Sequence, residues 1–175
     1  MMSVGKGLSS GYLPIGAVVM SPEVYDGLEA GSDDVGTFAH GATYSGHPVT
    51  CAVALRCLQL IEERRILEHV QQVAPLFAQR LDSLRNHPLV GDVRHVGLMG
   101  AVEFVADKAR RTPFEPTGSM AAALGRAAQE RGVIVRVAGA GDVCAFSPPL
   151  VINEAEIDEI FDRFQAALDD VTNTL

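Results

Sequence analysis

A lysine between two glycines, Gly5-Lys6-Gly7, opens the most chemically suggestive stretch of this sequence, which continues Leu8-Ser9-Ser10-Gly11-Tyr12-Leu13-Pro14-Ile15-Gly16-Ala17. With no side chain on either neighbour, the backbone leaves room for a flat ligand to come close to the ammonium. A Walker-type phosphate loop needs Ser or Thr directly after its lysine. Gly7 stands there instead, so that reading fails. A Schiff-base lysine fits better, because such an amine must shed its proton in a confined site before it attacks a carbonyl. The plain alternative is a turn lysine facing water.

Two further places could carry chemistry. Thr43-Tyr44-Ser45-Gly46-His47-Pro48 stands directly before a helical pattern. Free N–H groups and the positive end of the helix dipole favour an anion there, and the hydroxyls of Thr43 and Ser45 add donors. The alternative is ordinary capping by Ser45 with Pro48 at the helix start. His40 and His47 read as local hydrogen-bonding residues and receive no catalytic role. The other place is Arg136, at the end of the apolar run Gly132-Val133-Ile134-Val135. A guanidinium there needs a partner, and a carboxylate matches its fork. Against this stands an edge-strand arginine whose head reaches solvent. Glu103 reads as a surface or ion-paired residue, and Cys51 and Cys57 as small core residues.

The elements that must position these groups follow from periodicity. Residues 1–46 are dense in Gly, Ser and Pro but carry apolar runs such as residues 15–20, which predicts short strands and tight loops. The stretch from Pro48 to Glu63 is apolar nearly all round and predicts a buried helix. Ile66, Val70, Val73, Phe77, Leu81 and Leu84 recur at spacings of three and four, with Pro75 expected to kink or split their helix. Residues 92–105 predict one or two strands, with Gly97 and Gly100 allowing a bend or bulge. Residues 118–131 predict a helix. Residues 132–137 and 143–146 predict a hairpin across a Gly-Ala-Gly-Asp turn. Asn153 and Glu156 form a capping arrangement before a helix lined by Ile157, Ile160, Phe161, Phe164 and Leu168. The mixed order predicts an α/β or α+β unit from about residue 66 onward.

The 175 residues are 47% hydrophobic and 21% charged, with a formal charge of −8. This suits globular structure, and an acidic surface disfavours nucleic acid as a partner. No apolar run is long enough to span a bilayer, and the start lacks the cationic-then-apolar layout of a signal peptide, so no membrane association is expected. Three widely spaced cysteines without a CxxC pair argue against structural zinc and for a reducing compartment, taken as cytoplasmic.

The run from Lys6 to Val18, followed by the Thr43-Tyr44-Ser45-Gly46-His47-Pro48 segment, resembles the class III aminotransferases. These are fold-type I enzymes dependent on pyridoxal 5′-phosphate (PLP), and the likeness is to their ω-amino acid and amine–pyruvate branch. It extends over essentially the whole chain, including the Arg136 run, Ser147-Pro148-Pro149-Leu150 and the capped last helix. It implies an α/β architecture corresponding to the family's C-terminal part. Residues 1–64 would be the end of the PLP-binding large domain and residues 65–175 an α+β small domain. By the same resemblance, Lys6 carries the Schiff-base link to PLP and shuttles the substrate's proton. Thr43 binds the PLP phosphate across a homodimer interface, and Arg136 grips the substrate carboxylate. The implied reaction moves an amino group between an amine or ω-amino acid and a 2-oxo acid such as pyruvate, with no metal.

The departures from the family pattern are specific. The Gly-Ser phosphate turn, the aromatic that stacks on the pyridine ring and the aspartate that pairs with its nitrogen are not among these residues. The loop after Arg136, residues 137–142, is about two residues longer than usual. Ala42 stands where a bulkier residue is common. These 175 residues alone are therefore expected not to turn over. The competing readings are a non-catalytic remnant acting as a dimerisation or interaction module, and a racemase or aminomutase of the same superfamily.

Overall fold

Apolar residues on either side of the glycine-rich stretch pair into a hairpin. Strand β1 (Met2–Val4) runs antiparallel to β2 (Ala17–Val19), with Met2 opposite Val19 and Val4 opposite Ala17. Their connection begins with a one-turn 3₁₀ helix, Lys6–Leu8. Two helices follow, α1 (Pro22–Val35) and α2 (Pro48–Glu63). The computed structural model describes residues 1–138 and 141–174, and the chain divides into two compact units, Met1–Arg65 and Ile66–Leu175.

Helix α1 corrects the expectation of strands and loops throughout residues 1–46. Its start signals are present in the sequence: Ser21 in extended backbone, Pro22 in the first turn and Glu23 on the dipole's positive end, with Gly36 (φ 88°) ending it. The missing signal was burial, because none of its residues is buried. Helix α2 has the expected bounds but not the expected setting. Only Ala54 and Cys57 are buried along it, while Val49 and Leu55 are each 58% exposed and Cys51 is exposed rather than in a core. An all-round apolar sequence calls for neighbours on every side, and these residues supply them on one.

The second unit holds the core. Helix α3 (Ile66–Ser83) is followed by β3 (Val90–Val96), β4 (Met99–Phe104), α4 (Ser119–Glu130), β5 (Arg136–Ala138), β6 (Val143–Phe146) and α5 (Glu154–Thr172). The four strands form one antiparallel sheet in the order β3-β4-β6-β5. Val102 and Phe104 on β4, and Cys144 and Phe146 on β6, alternate with less buried neighbours, so the core lies on one face. Phe77 of α3 and Phe161 and Phe164 of α5 meet there, with Phe146 within 5.3 Å of both α5 rings between centroids.

Helix α3 runs unbroken through Pro75 instead of splitting. Burial of Val73, Phe77 and Leu81 on its inner face, each worth about 1.5–3 kcal/mol, outweighs the roughly 3 kcal/mol cost of an interior proline. Gly97 (φ 56°) makes the β3–β4 turn, as its residue type suggested. Gly100 is not a bend but a close approach: a Cβ there would lie 2.5 Å from Leu81 Cδ2. The register shift falls between Val90 and Asp92. Glu103 pairs with Arg94 at 2.8 Å. The Asn153–Glu156 capping box is present with both reciprocal bonds.

Asp142 is the one buried carboxylate among the described residues. Its two oxygens accept from the backbone N–H groups of Gly118 and Ala121, both at 3.0 Å, and its carbonyl accepts from Phe104 N–H at 2.7 Å. It therefore caps α4 from a distant part of the chain, since Gly118 at that helix's start has no side chain to do so. Burial, with the Asp142 charge adding, pushes the Cys144 thiol up to about 12, so this sulfur is inert at neutral pH. Asp142→Ala should cost about 1–2 kcal/mol of unfolding free energy, and Asp142→Asn, which keeps one acceptor, should recover part of it. Urea titration followed by far-UV circular dichroism measures both.

His87 accepts the Leu89 N–H at Nδ1 (3.2 Å), while Nε2 lies 3.4 Å from Thr172 Oγ1. Burial holds its pKa below the ordinary value, opposed by the Asp169 carboxylate and reinforced by Lys108. The unfolded chain thus binds the proton more readily. Stability present above the unfolded value of about 6.5 is lost as pH falls from there through the lower folded value. The urea midpoint should drop from pH 7.5 to pH 5.5, and His87→Gln should flatten that part of the profile.

The two units differ sharply in burial. In Met1–Arg65 only Ser9, Ala54 and Cys57 are buried among the described residues. Amide exchange and limited proteolysis of the 175-residue chain should therefore be fastest there and slowest in α3 and α5. Equal protection of the Lys6 segment and α5 would contradict this.

Candidate active site

Three turns in succession follow Lys6. Leu8 N–H donates to Gly5 O, Ser10 N–H to Gly7 O and Tyr12 N–H to Ser9 O, at 3.0–3.2 Å. Lys6 itself has φ 46°, and Ser10 (φ 51°) and Gly11 (φ 77°) share that left-handed region. For a lysine this conformation costs of order 1 kcal/mol or more and persists only where surrounding bonds impose it. The Lys6 side chain is exposed, and its ammonium has no hydrogen-bond or ion-pair partner among the described residues. Ser9, which follows the 3₁₀ turn, is 2% exposed and donates from Oγ to Leu13 O at 2.6 Å. Sequence reasoning passed over Ser9, because nothing in a Leu-Ser-Ser run marks which hydroxyl is inside.

Thr43 opens a turn over residues 43–46 and is exposed. Ser45 N–H donates to Ala42 O (2.9 Å), Ser45 Oγ accepts from Ala42 N–H (3.0 Å), and Gly46 takes φ 69°. Ser45 is thus spent within the turn and does not cap α2. His47 occupies the capping position with no side-chain cap bond, and its buried Nδ1 has no hydrogen-bond partner. The start of α2 accordingly keeps free N–H groups and an unopposed positive dipole end, the ordinary setting for an anion. The 3₁₀ turn of Lys6 packs against α2, and no hydrogen bond joins Lys6 to Thr43 among the described residues.

Arg136 belongs to the other unit. It is the first residue of β5, an edge strand, rather than part of a strand beginning at Gly132, and its side chain is exposed. Residues 132–135 lack a ladder partner because β6 ends at Phe146 and its antiparallel pairing reaches back only to Arg136, opposite Ala145. The first two residues of the expected Gly-Ala-Gly-Asp turn, Gly139 and Ala140, lie outside the described residues. Arg136 stands on a cavity of about 490 Å³ with Val135, Ala145, Phe146, Pro148 and Ile160 in its walls. Its guanidinium has no partner among the described residues. A fork-shaped cation on a largely apolar cavity suits a carboxylate attached to an apolar chain.

Comparison with known proteins gives this geometry a family. The class-III aminotransferase family model matches residues 1–168. The chain is 44% identical over 173 residues to gamma aminobutyrate transaminase 3 of Solanum lycopersicum, covering 99% of the chain and 33% of that protein. It is 42% identical over 168 residues to a probable gamma-aminobutyrate transaminase 3 of Oryza sativa subsp. indica, with 96% and 32% covered. Among solved structures, a transaminase obtained by ancestral reconstruction superposes with TM-score 0.95 at 44% identity, covering 99% of this chain and 38% of that one. The ω-transaminase of Pseudomonas jessenii in complex with PMP gives 0.92 at 42%, covering 98% and 38%. The chain thus spans about a third of the length of the curated relatives it matches.

One expectation falls at this point. The tomato relative is chloroplastic and the rice relative mitochondrial, which overturns the cytoplasmic assignment. Its reasoning had equated a reducing environment with the cytoplasm, and free thiols do not distinguish the two. The match across residues 1–168, the identity above 40% and the shared fold together make the chain a member of the class-III aminotransferases, a PLP-dependent family.

Proposed function

We propose that this chain supplies three groups to a PLP-dependent transamination between an amine or ω-amino acid and a 2-oxo acid such as pyruvate. They are Lys6 as the catalytic and cofactor-linking amine, Thr43 as a cofactor-phosphate ligand and Arg136 as the substrate-carboxylate ligand. The observation that carries this reading is Lys6, a primary amine without an ion-pair partner among the described residues and held in a left-handed backbone, although its exposure matches the plain turn-lysine alternative rather than the confined site expected. The residues fit the cofactor in chemistry as well: an unpaired amine for its aldehyde, an uncapped helix start for its phosphate and an orphaned imidazole nitrogen beside that start.

When bound, PLP supplies the electron sink that makes the substrate's α-proton removable. Lys6 Nζ, in its neutral form, takes that proton and returns it, which requires an amine not locked as an ammonium by a neighbouring carboxylate. The Thr43 hydroxyl and the first-turn N–H groups of α2 would hold phosphate oxygens of the cofactor across the homodimer interface, and so fix the ring's distance from the Lys6 of the other subunit. Arg136 pairs with the carboxylate at one end of the substrate, and the apolar walls beside it accept the methylene chain. The gamma-aminobutyrate transaminases among the relatives favour an ω-amino acid, whose carboxylate lies several bonds from its amine. The exposed apolar residues of the first unit, Val18, Val19, Leu55 and Leu58 among them, support association with more polypeptide, a second subunit included.

Borohydride reduction of the protein in the presence of PLP, followed by peptide mapping, tests the assignment. The phosphopyridoxyl group is expected on Lys6. Label on Lys108 with none on Lys6 would sink it. The 175-residue chain by itself is expected to take the label without producing alanine from an amine–pyruvate pair. Turnover on the order of 1 per second would overturn that part.

A further inference from the structure

The proposed role of Lys6 leaves open what holds it in an unfavourable backbone conformation. Both glycines beside it are exposed and without side chains, and the lysine itself makes no side-chain bond among the described residues. Across residues 5–16, the whole connection between β1 and β2, Ser9 alone is buried. Its hydroxyl reaches forward four residues to the Leu13 carbonyl at 2.6 Å, while its own N–H donates back to Lys6 O at 3.3 Å. Ser9 therefore clasps the two ends of the connection's tight half, with Lys6 at one end and Leu13 at the other. The two positive-φ residues Ser10 and Gly11 lie inside the clasp.

We infer that Ser9 is a positioning residue for Lys6: its buried Oγ–Leu13 O bond closes the loop that keeps Lys6 in the left-handed region and its amine aimed in one direction. This rests on the assignment of Lys6 as the cofactor-linking amine. The physical argument has three parts. A buried hydroxyl must be bonded, and here the acceptor is a loop carbonyl that no other bond described for this loop engages, so losing the hydroxyl frees both groups. Left-handed lysine relaxes toward the ordinary helical or extended regions once the turn bonds loosen, because the glycines on either side of it carry no side chain to hold it. A change of φ at Lys6 swings a side chain some 6 Å long, and a shift of about 1 Å at a reacting atom costs up to roughly a hundredfold in rate. Ser10, exposed, cannot substitute.

The test uses the full-length protein and reads the covalent trapping rate of Lys6 by PLP and borohydride, with Lys108 as the internal reference. Lys108 lies in the other unit and donates to the carbonyls of Arg85 and His87, so it does not sense the loop. In Ser9→Ala the Lys6-to-Lys108 labelling ratio is expected to fall about tenfold to a hundredfold, with amide protection at Ala54 and Cys57 in α2 unchanged. Ser9→Thr, which keeps the hydroxyl, is expected to restore most of the ratio. An unchanged ratio in Ser9→Ala overturns the inference while leaving the Lys6 assignment intact. Absence of Lys6 label in the unsubstituted protein would instead remove the assignment itself. Loss of label together with loss of α2 protection would make Ser9 a general folding residue and also overturn the inference.

Discussion

Lys6→Ala in the full-length protein should depress amino transfer by at least 10²–10⁴-fold, roughly the range in which a positioned proton-transfer group acts. The loss should appear in kcat, because the amine is needed to move a proton between the substrate carbon and the cofactor rather than to hold the substrate. Lys6→Arg should be no better, since a guanidinium stays protonated throughout the accessible pH range and cannot serve as a base. A small exogenous amine should restore part of the activity to Lys6→Ala and none to Lys6→Arg. The fold should not notice either change: Lys6 is exposed and unpaired among the described residues, so its truncation belongs with surface substitutions of about 0.5 kcal/mol or less. Stopped-flow assay of a single half-reaction separates the chemical step from product release. A loss smaller than about tenfold would remove Lys6 from the chemistry.

Arg136→Ala should act on recognition instead. For substrates carrying a carboxylate, kcat/KM should fall by about 2–5 kcal/mol of lost pairing, a factor of roughly thirty to several thousand. Simple amines should lose far less. Arg136→Lys should fall between, because an ammonium keeps the charge and loses the two-pronged geometry. The contrast between substrate classes is the decisive readout. Arg136 is an exposed edge-strand residue without a partner among the described residues, so removing it leaves no buried charge behind. An equal loss on both classes would make Arg136 a structural residue of the β5 edge.

Much of the local architecture was legible in the residues themselves. The last helix could be read to its cap because Asn153 and Glu156 satisfy each other's backbone partners at fixed spacing, and its inner residues recur with the helical period. The bounds of α2 followed from Pro48 and the apolar run, and Gly97, read as a place for a bend or bulge, makes the β3–β4 turn. The misreadings share one cause. Helix α1 has proper end signals but no buried face, and α2 has an all-round apolar pattern but few neighbours among these residues. Periodicity reports what a segment needs to bury, not what stands beside it. The β5 boundary failed for the same reason, since residues 132–135 are apolar enough for a strand and simply find no partner strand.

The resemblance carried by the Lys6 and Thr43 segments determined which reaction class can be argued, whereas residue types and spacing alone left Lys6 open between a Schiff-base amine and a turn lysine facing water. What tertiary structure decided was the state of those groups. Lys6 proves to be in left-handed backbone and unpaired among the described residues, Ser45 is consumed by its own turn so that α2 stays uncapped, and Arg136 sits at a sheet edge over an apolar cavity. Tertiary structure also picked out two residues that no pattern marked: Ser9, buried by its fold neighbours, and Asp142, which caps a helix that starts 23 residues before it. The physical reason is that a hydrogen bond or a burial event joins groups by distance in space. Residue type and local spacing constrain that distance only within a turn or two of chain.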